Sequence, residues 1–514
     1  MSTRDTLVRN TFWFGLVTVI GLASGVMMSV VLARWLGPAR MGDFSYILWV
    51  TRTLTALASL GFAVGTTRYT ASALAQGDPA LAWGIVERMK RQQFIATAVV
   101  AAAMMPIILA VAPDAIRWPL ALVCLGLFPI TLEHIFSHAV YGANRYDLTT
   151  QVSTIKMGLH FAGTVIALAL GFDIVGIVVG NMVGTTISAL LQQRRARSIY
   201  PDTAAPVPPA LRHDMRAYLV PLSVVVVLDA LVWDRSEVFF LRFWTSSHDI
   251  AFYSLAFGLA TKAMIFPEIT IGALLPTFSG LHGRGAMDEF RGVYRGALRN
   301  VTLVGAPIAA VTTATAPALV TLLYGEVYRP VAALLSVMMI VAVFASMRKV
   351  AWTALRGLGD RRCAVTATSV AAAINIAAAV AFIPVWGTWG AVGANTLAQL
   401  VATCWAFVVL ARTQGCRVPV LTLMRITGAG ILSYGAAAAL ATDEPDLLRI
   451  VLAGAAGLAT YVGAAVALRV VGAREWRFAL STVHRLQARW RRPPARPTDS
   501  ETPVKPPAFE TRPV

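Results

Sequence analysis

The chain has 514 residues, 57% of them hydrophobic and 14% charged, with a formal net charge of +18 and a mean hydropathy of +0.66. A water-soluble domain carries about a quarter charged residues, so this composition excludes one and points to a polytopic membrane protein. Nucleic acid is excluded as well, because the arginines fall in short clusters between apolar runs and lack interleaved aromatic residues.

A spanning helix needs about 20 mostly apolar residues. On that basis fourteen spans are expected, at 10–36, 42–66, 94–112, 118–141, 149–171, 174–191, 218–243, 250–278, 301–324, 330–355, 363–384, 389–411, 423–441 and 447–471. The first run is too long for a signal-peptide core and is read as a retained span. Gly37-Pro38 and Gly42 break helical periodicity between the first two spans. With the N-terminus in the cytoplasm, roughly three-quarters of the lysines and arginines lie on the cytoplasmic side. The C-terminus then returns there too. Residues 474–490 are expected to form a basic amphipathic helix on anionic lipid, and the Pro-rich stretch from 491 to be disordered.

An internal repeat organises these spans. Leu32-x-x-Trp35 with Gly42-x-Phe44-Ser45 recurs as Leu241-x-x-Trp244 with Ala251-x-Tyr253-Ser254, an offset of about 209 residues. Gly176 to Asn181 likewise matches Gly390 to Asn395. The expected organisation is a six-helix lobe (1–200), a cytoplasmic linker (201–217), a second six-helix lobe (218–412), two further spans (413–471) and a basic tail (472–514). Parallel repeats of this kind place a substrate site between the lobes.

Charge inside the spans carries the functional signal. A charged side chain at mid-membrane costs about 2.5–3.5 kcal/mol on insertion scales, so it faces protein or a wet cavity. Arg52 lies about ten residues into the second span, on one stripe with Ser45, Thr55, Ser59 and Thr66. Lys156 shares a stripe with Thr149, Ser153, His160 and Thr164 on the fifth. The seventh carries Asp229, Asp234, Arg235 and Glu237, and the eighth carries Lys262 with Glu268 beside a Pro267 kink. The first lobe sets Arg52 and Lys156 against Glu133 alone, a cationic excess that suits an anionic ligand such as phosphate. Arg52, Lys156, Arg235 and Lys262 are therefore the expected substrate-binding residues. Asp229, Asp234, Glu237 and Glu133 are the expected ion-coupling residues, although each acid could equally serve as partner to a neighbouring cation. His134 and His138 sit one turn apart, but without further ligands no metal is expected. No nucleotide-binding loop is present, and Cys124, Cys363, Cys404 and Cys416 are scattered as free thiols. No catalytic constellation and no cofactor are expected.

The runs Leu32 to Tyr46 (L-A-R-W-L-G-P-x-x-x-G-x-F-S-Y), Gly61 to Tyr69 (G-F-x-x-G-T-T-R-Y), Leu322 to Pro330 (L-L-Y-G-E-x-Y-x-P) and Arg356 to Asp360 (R-G-L-G-D) together resemble the polysaccharide-transporter family. That family covers O-antigen and exopolysaccharide flippases within the multidrug/oligosaccharidyl-lipid/polysaccharide exporter superfamily. The resemblance implies an all-α fold of fourteen helices, two lobes around a central cavity, and alternating access. It implies an isoprenoid-diphosphate-linked oligosaccharide as cargo, moved to the outer leaflet of the inner (plasma) membrane, and no enzymatic activity. It favours Arg52, Arg235 and Lys262 as the diphosphate-binding cations, whereas Lys156 rests on its stripe alone. The expected partners are the lipid-linked glycan, membrane lipids, a polysaccharide polymerase and glycosyltransferases. The alternatives are a cation-coupled multidrug exporter of the same superfamily and a membrane component of a polysaccharide-assembly complex.

Overall fold

A computed structural model describes residues 3–233, 235–359 and 361–470, with side chains omitted at 3–14, 16–17, 225, 228–229, 231–233, 361–365 and 367. The described residues hold sixteen α-helices and two short 3₁₀ helices, with no strand among them. The amphipathic helix and tail expected beyond 471 lie outside the described residues.

The first group of helices is α1 (Thr3–Ser59), α2 (Phe62–Ala75), α3 (Pro79–Val111), α4 (Asp114–Gly142), α5 (Tyr146–Ala169) and α6 (Ile174–Arg197). The second runs from α7 (Pro209–Trp233) and α8 (Glu237–Trp244) through α9 (Ser247–Ala263), α10 (Ile265–Glu268) and α11 (Leu274–Gly283) to α12 (Met287–Tyr324), α13 (Pro330–Gly357) and α14 (Arg361–Gln414). Two last helices, α15 (Val420–Ala438) and α16 (Leu447–Ala467), pack on each other and on α12.

Ten described helices are long and apolar enough to cross a membrane, or eleven with the bent pair 247–263 and 265–283 counted as one span. Fourteen were expected, and part of the difference has a local cause. α1 and α14 each join two helices at a glycine with non-helical dihedrals, Gly37 (φ 69°, ψ 172°) and Gly387 (φ 53°, ψ −125°). Positive φ is open to glycine, so the helix breaks there without a loop.

Small residues set the helix spacing. Gly163 of α5 and Gly180 of α6 meet backbone to backbone, where an added Cβ would lie 3.2–3.4 Å from the opposite chain. Gly42 of α1 approaches α9 more closely still: a Cβ there would sit 1.7 Å from the Ser247 carbonyl oxygen.

The distribution of the core decides where a cavity can form. One hydrophobic cluster joins both groups, bringing Leu32, Met41, Phe44 and Ile47 of α1 together with Ile250, Tyr253 and Leu255 of α9. Toward the other end the two groups have separate cores, one around Tyr69, Met89, Phe136 and Leu219, the other around Phe278, Tyr294, Val350 and Leu355. The groups are therefore fused at one end and apart at the other. The start of α7 docks on the first group: Tyr69 donates to Asp214 at 2.8 Å, and the Ser223 hydroxyl donates to the Leu60 carbonyl at 2.7 Å.

Candidate functional site

A cavity of about 760 Å³ opens between the two groups. The residues expected from the charge pattern mostly converge on it. Arg52 reaches it from α1, Lys262 from α9, and Arg235 from the turn between α7 and α8. Arg348 and Lys349 of α13 and His160 of α5 also line it, whereas no aspartate or glutamate is among its described lining residues. Five formally positive side chains thus share one cavity. Such an arrangement attracts an anion, because charge-assisted bonds to phosphate oxygens are about twice as strong as neutral ones.

The local structure explains each position. Arg52 extends from the continuous second arm of α1 and is exposed to the cavity. The Lys262 ammonium donates to the Gly25 carbonyl at 2.9 Å, so a neutral acceptor holds it. Arg235 is only 7% exposed and adopts a left-handed backbone (φ 60°), a conformation that costs a non-glycine residue about 1–3 kcal/mol. Its guanidinium lies 5.7 Å from the ring of Phe257, a lining residue. Arg348 donates through Nε to Gln399 Oε1 at 2.9 Å. Lys349 donates to both oxygens of Glu268, at 2.7 and 2.6 Å, and the Ser346 hydroxyl adds a third bond at 2.8 Å.

Lys156 takes a different place. Its ammonium donates to both Glu133 oxygens, at 2.9 and 2.8 Å, and it is not among the residues lining the cavity. Ser188 of α6 donates a further bond to Glu133 at 2.9 Å. Of the residues expected to share a stripe on α5, His160 and Thr164 line the cavity. The matching acid lies 23 residues away on α4, where stripe geometry on α5 does not show it.

Removing Glu133 alone strands a largely buried ammonium. Glu133→Ala is expected to destabilise the folded protein by about 2–4 kcal/mol, below the usual range for a buried pair because Lys156 retains some exposure. Thermal unfolding of the purified chain checks this: the midpoint falls for Glu133→Ala, and Glu133→Ala/Lys156→Ala recovers part of the loss.

Glu237 is completely buried and accepts bonds from Tyr253 at 2.9 Å, Asn375 at 2.7 Å and Asn395 at 3.0 Å. Asn395 itself lines the cavity, which places this carboxylate one side chain behind the wall. The Asp229 side chain and Asp234 lie outside the described residues. Among the described residues no group of three or more His, Cys, Asp and Glu is placed to hold a metal ion.

The end of the cavity where the core is shared is tied shut by polar contacts as well. Asp43 accepts from Arg242 at 2.9 Å and from Ser247 at 2.8 Å. Arg34 donates to the carbonyls of Leu323 at 2.9 Å and Leu322 at 2.6 Å. Tyr328 donates to the Ala33 carbonyl at 2.8 Å, and Ser29 lies 3.1 Å from the Tyr324 hydroxyl.

A family model described as polysaccharide biosynthesis protein matches residues 7–282, more than half of the chain. The chain belongs to that family. A model described as the lipid II flippase MurJ matches residues 253–462. Among solved structures, the lipid II flippase MurJ in an inward closed conformation has a TM-score of 0.70 at 10% identity, covering 90% of this chain and 99% of that one. An inward-facing multidrug resistance MATE transporter of the MOP superfamily has a TM-score of 0.66 at 15% identity, covering 77% of this chain and 95% of that one. An outward-facing MATE transporter has a TM-score of 0.60 at 14% identity, over 81% and 96%. At these identities the likeness shows the fold. No curated relative matches the chain at a significant level. The fold, the family and the run of apolar helices make this a multi-pass membrane protein.

Proposed function

We propose that the chain is a flippase for an isoprenoid-diphosphate-linked oligosaccharide, acting in cell-surface polysaccharide synthesis at the inner membrane. One observation carries this reading: a cavity of about 760 Å³ lined by Arg52, Arg235, Lys262, Arg348 and Lys349 and by no described carboxylate. In such a site the diphosphate is the group that gains most, and the sugars occupy the remaining wet volume. The family match and the likeness to MurJ support the same cargo class.

Alternating access follows from the two ends. With both termini cytoplasmic, as the distribution of arginines favours, the fused end held by Asp43, Arg242 and Arg34 is the outer one and the cavity faces the cytoplasm. Transport is then a rocking of two lobes, with α1 and α9 separating while the inner ends close. Glu237, held by two asparagines and a tyrosine beside the wall, is the described acid best placed to link an ion to that motion. Asp229 and Asp234 remain proposals of the same kind. Glu133 and Lys156 hold α4, α5 and α6 together in this reading rather than touching cargo. The polymerase and glycosyltransferases of the same glycan would be its partners.

A cation-coupled drug exporter draws support from the MATE likeness. The cationic wall opposes it, because no aspartate or glutamate is among its described lining residues to take the coupling cation.

Reconstitution in vesicles tests the reading. A fluorescent isoprenoid-diphosphate disaccharide should become protected from, or exposed to, an impermeant quencher faster with the protein than in protein-free vesicles. Equal rates would refute it.

A further inference from the structure

Lys349 differs from Lys262 in what holds it. Lys262 rests on a backbone carbonyl, whereas Lys349 reaches the cavity wall while both oxygens of Glu268 grip its ammonium from behind. Glu268 ends α10 and precedes a 3₁₀ turn, Ile269–Ala273, in a segment bent by 48°. Its side chain is 19% exposed, that of Lys349 40%, and Glu268 is not among the lining residues.

Taken with the flippase reading, on which this rests, we infer that Glu268 sets a charge threshold for the cavity and thereby selects diphosphates over ordinary phospholipids. The cytoplasmic leaflet is rich in anionic lipids whose phosphodiester carries a single negative charge. An open cluster of cations beside it would fill with them. A phosphodiester that takes Lys349 replaces one negative charge by another and leaves Glu268 with the Ser346 hydroxyl alone. A diphosphate carries more than one charge across two linked phosphates. It can engage Arg52 and Lys262 with one phosphate and displace Glu268 from Lys349 with the other, gaining overall. The carboxylate thus cancels most of what a phosphodiester gains at Lys349 but only part of what a diphosphate gains, because the phosphate on Arg52 and Lys262 keeps its hold whether or not Lys349 is released.

A purely structural role, tying the broken helix to α13, gives a different result on mutation. It predicts lower stability for Glu268→Gln with no gain of affinity for any anion.

Binding to the full chain in nanodiscs of zwitterionic lipid separates the two. The probes are farnesyl diphosphate, inorganic pyrophosphate and dioctanoyl phosphatidylglycerol. Wild type should favour both diphosphates. Glu268→Gln should tighten phosphatidylglycerol by roughly tenfold and farnesyl diphosphate by about threefold or less, so that selectivity narrows. Lys349→Ala/Glu268→Gln should erase that gain. Unchanged or weaker phosphatidylglycerol binding by Glu268→Gln, or a gain that survives in the double variant, overturns the inference while leaving the flippase reading intact. Selection of pyrophosphate but not farnesyl diphosphate, with the same narrowing, supports the filter and refutes the flippase reading. No binding of any anion by wild type or variants refutes both.

Discussion

Arg52→Ala is expected to lower flipping of an isoprenoid-diphosphate glycan by about a hundredfold, while the protein remains inserted and abundant. The magnitude follows from removing two charge-assisted bonds to the diphosphate, each worth about 1.5–3 kcal/mol, of which water in the cavity restores part. Folding is spared because Arg52 projects into an exposed part of the cavity rather than into the core. Arg52→Lys restores the charge but not the planar two-pronged donor, so an intermediate rate is expected. The vesicle assay reads both variants, and full activity of Arg52→Ala would remove this residue from the mechanism.

The second large effect is conformational. Gly42→Val would place side-chain atoms where the Ser247 backbone lies, since even a Cβ would sit 1.7 Å from its carbonyl oxygen. No rotamer relieves a clash with backbone. α1 and α9 must separate, and the neighbouring Asp43 bonds to Arg242 and Ser247 go with them. The expected result is a population moved out of the conformation described here toward one open at the fused end, with transport reduced at least tenfold because the cycle cannot return. Spin-label distances across that end, between positions 35 and 327, should lengthen by several ångströms in the variant. An unchanged distance distribution would show that the approach of α1 to α9 does not hold the end closed.

Much of this was legible in the chain, and the exceptions have physical reasons. The break at Gly37 stands beside Pro38 where the residues place it, whereas the bend expected at Pro267 falls three residues earlier, at Met264 between α9 and α10. Arg52, Arg235 and Lys262 could be found singly, because a cation deep in an apolar run needs a wet or paired environment wherever the helix packs. Pairing is not a local property, however. Lys156 looks like Arg52 in sequence, yet the register of α4 against α5 gives it Glu133. Arg348 and Lys349 were overlooked although the same rule would have found them: they are adjacent cations inside the expected span 330–355, and both line the cavity. The expected boundary between spans 363–384 and 389–411 coincides with the break at Gly387, which joins two helices with no loop between them.

The most direct measurement is a structure of the full chain with a bound short-chain isoprenyl diphosphate. The two phosphates should lie within hydrogen-bond distance, about 3 Å, of Arg52, Lys262 and Arg235, with the isoprenyl chain leaving toward lipid. Phosphates seated elsewhere, with these three side chains turned onto neighbouring carboxylates and the cavity empty, would contradict the idea that buried positive charge is there to receive the lipid's diphosphate.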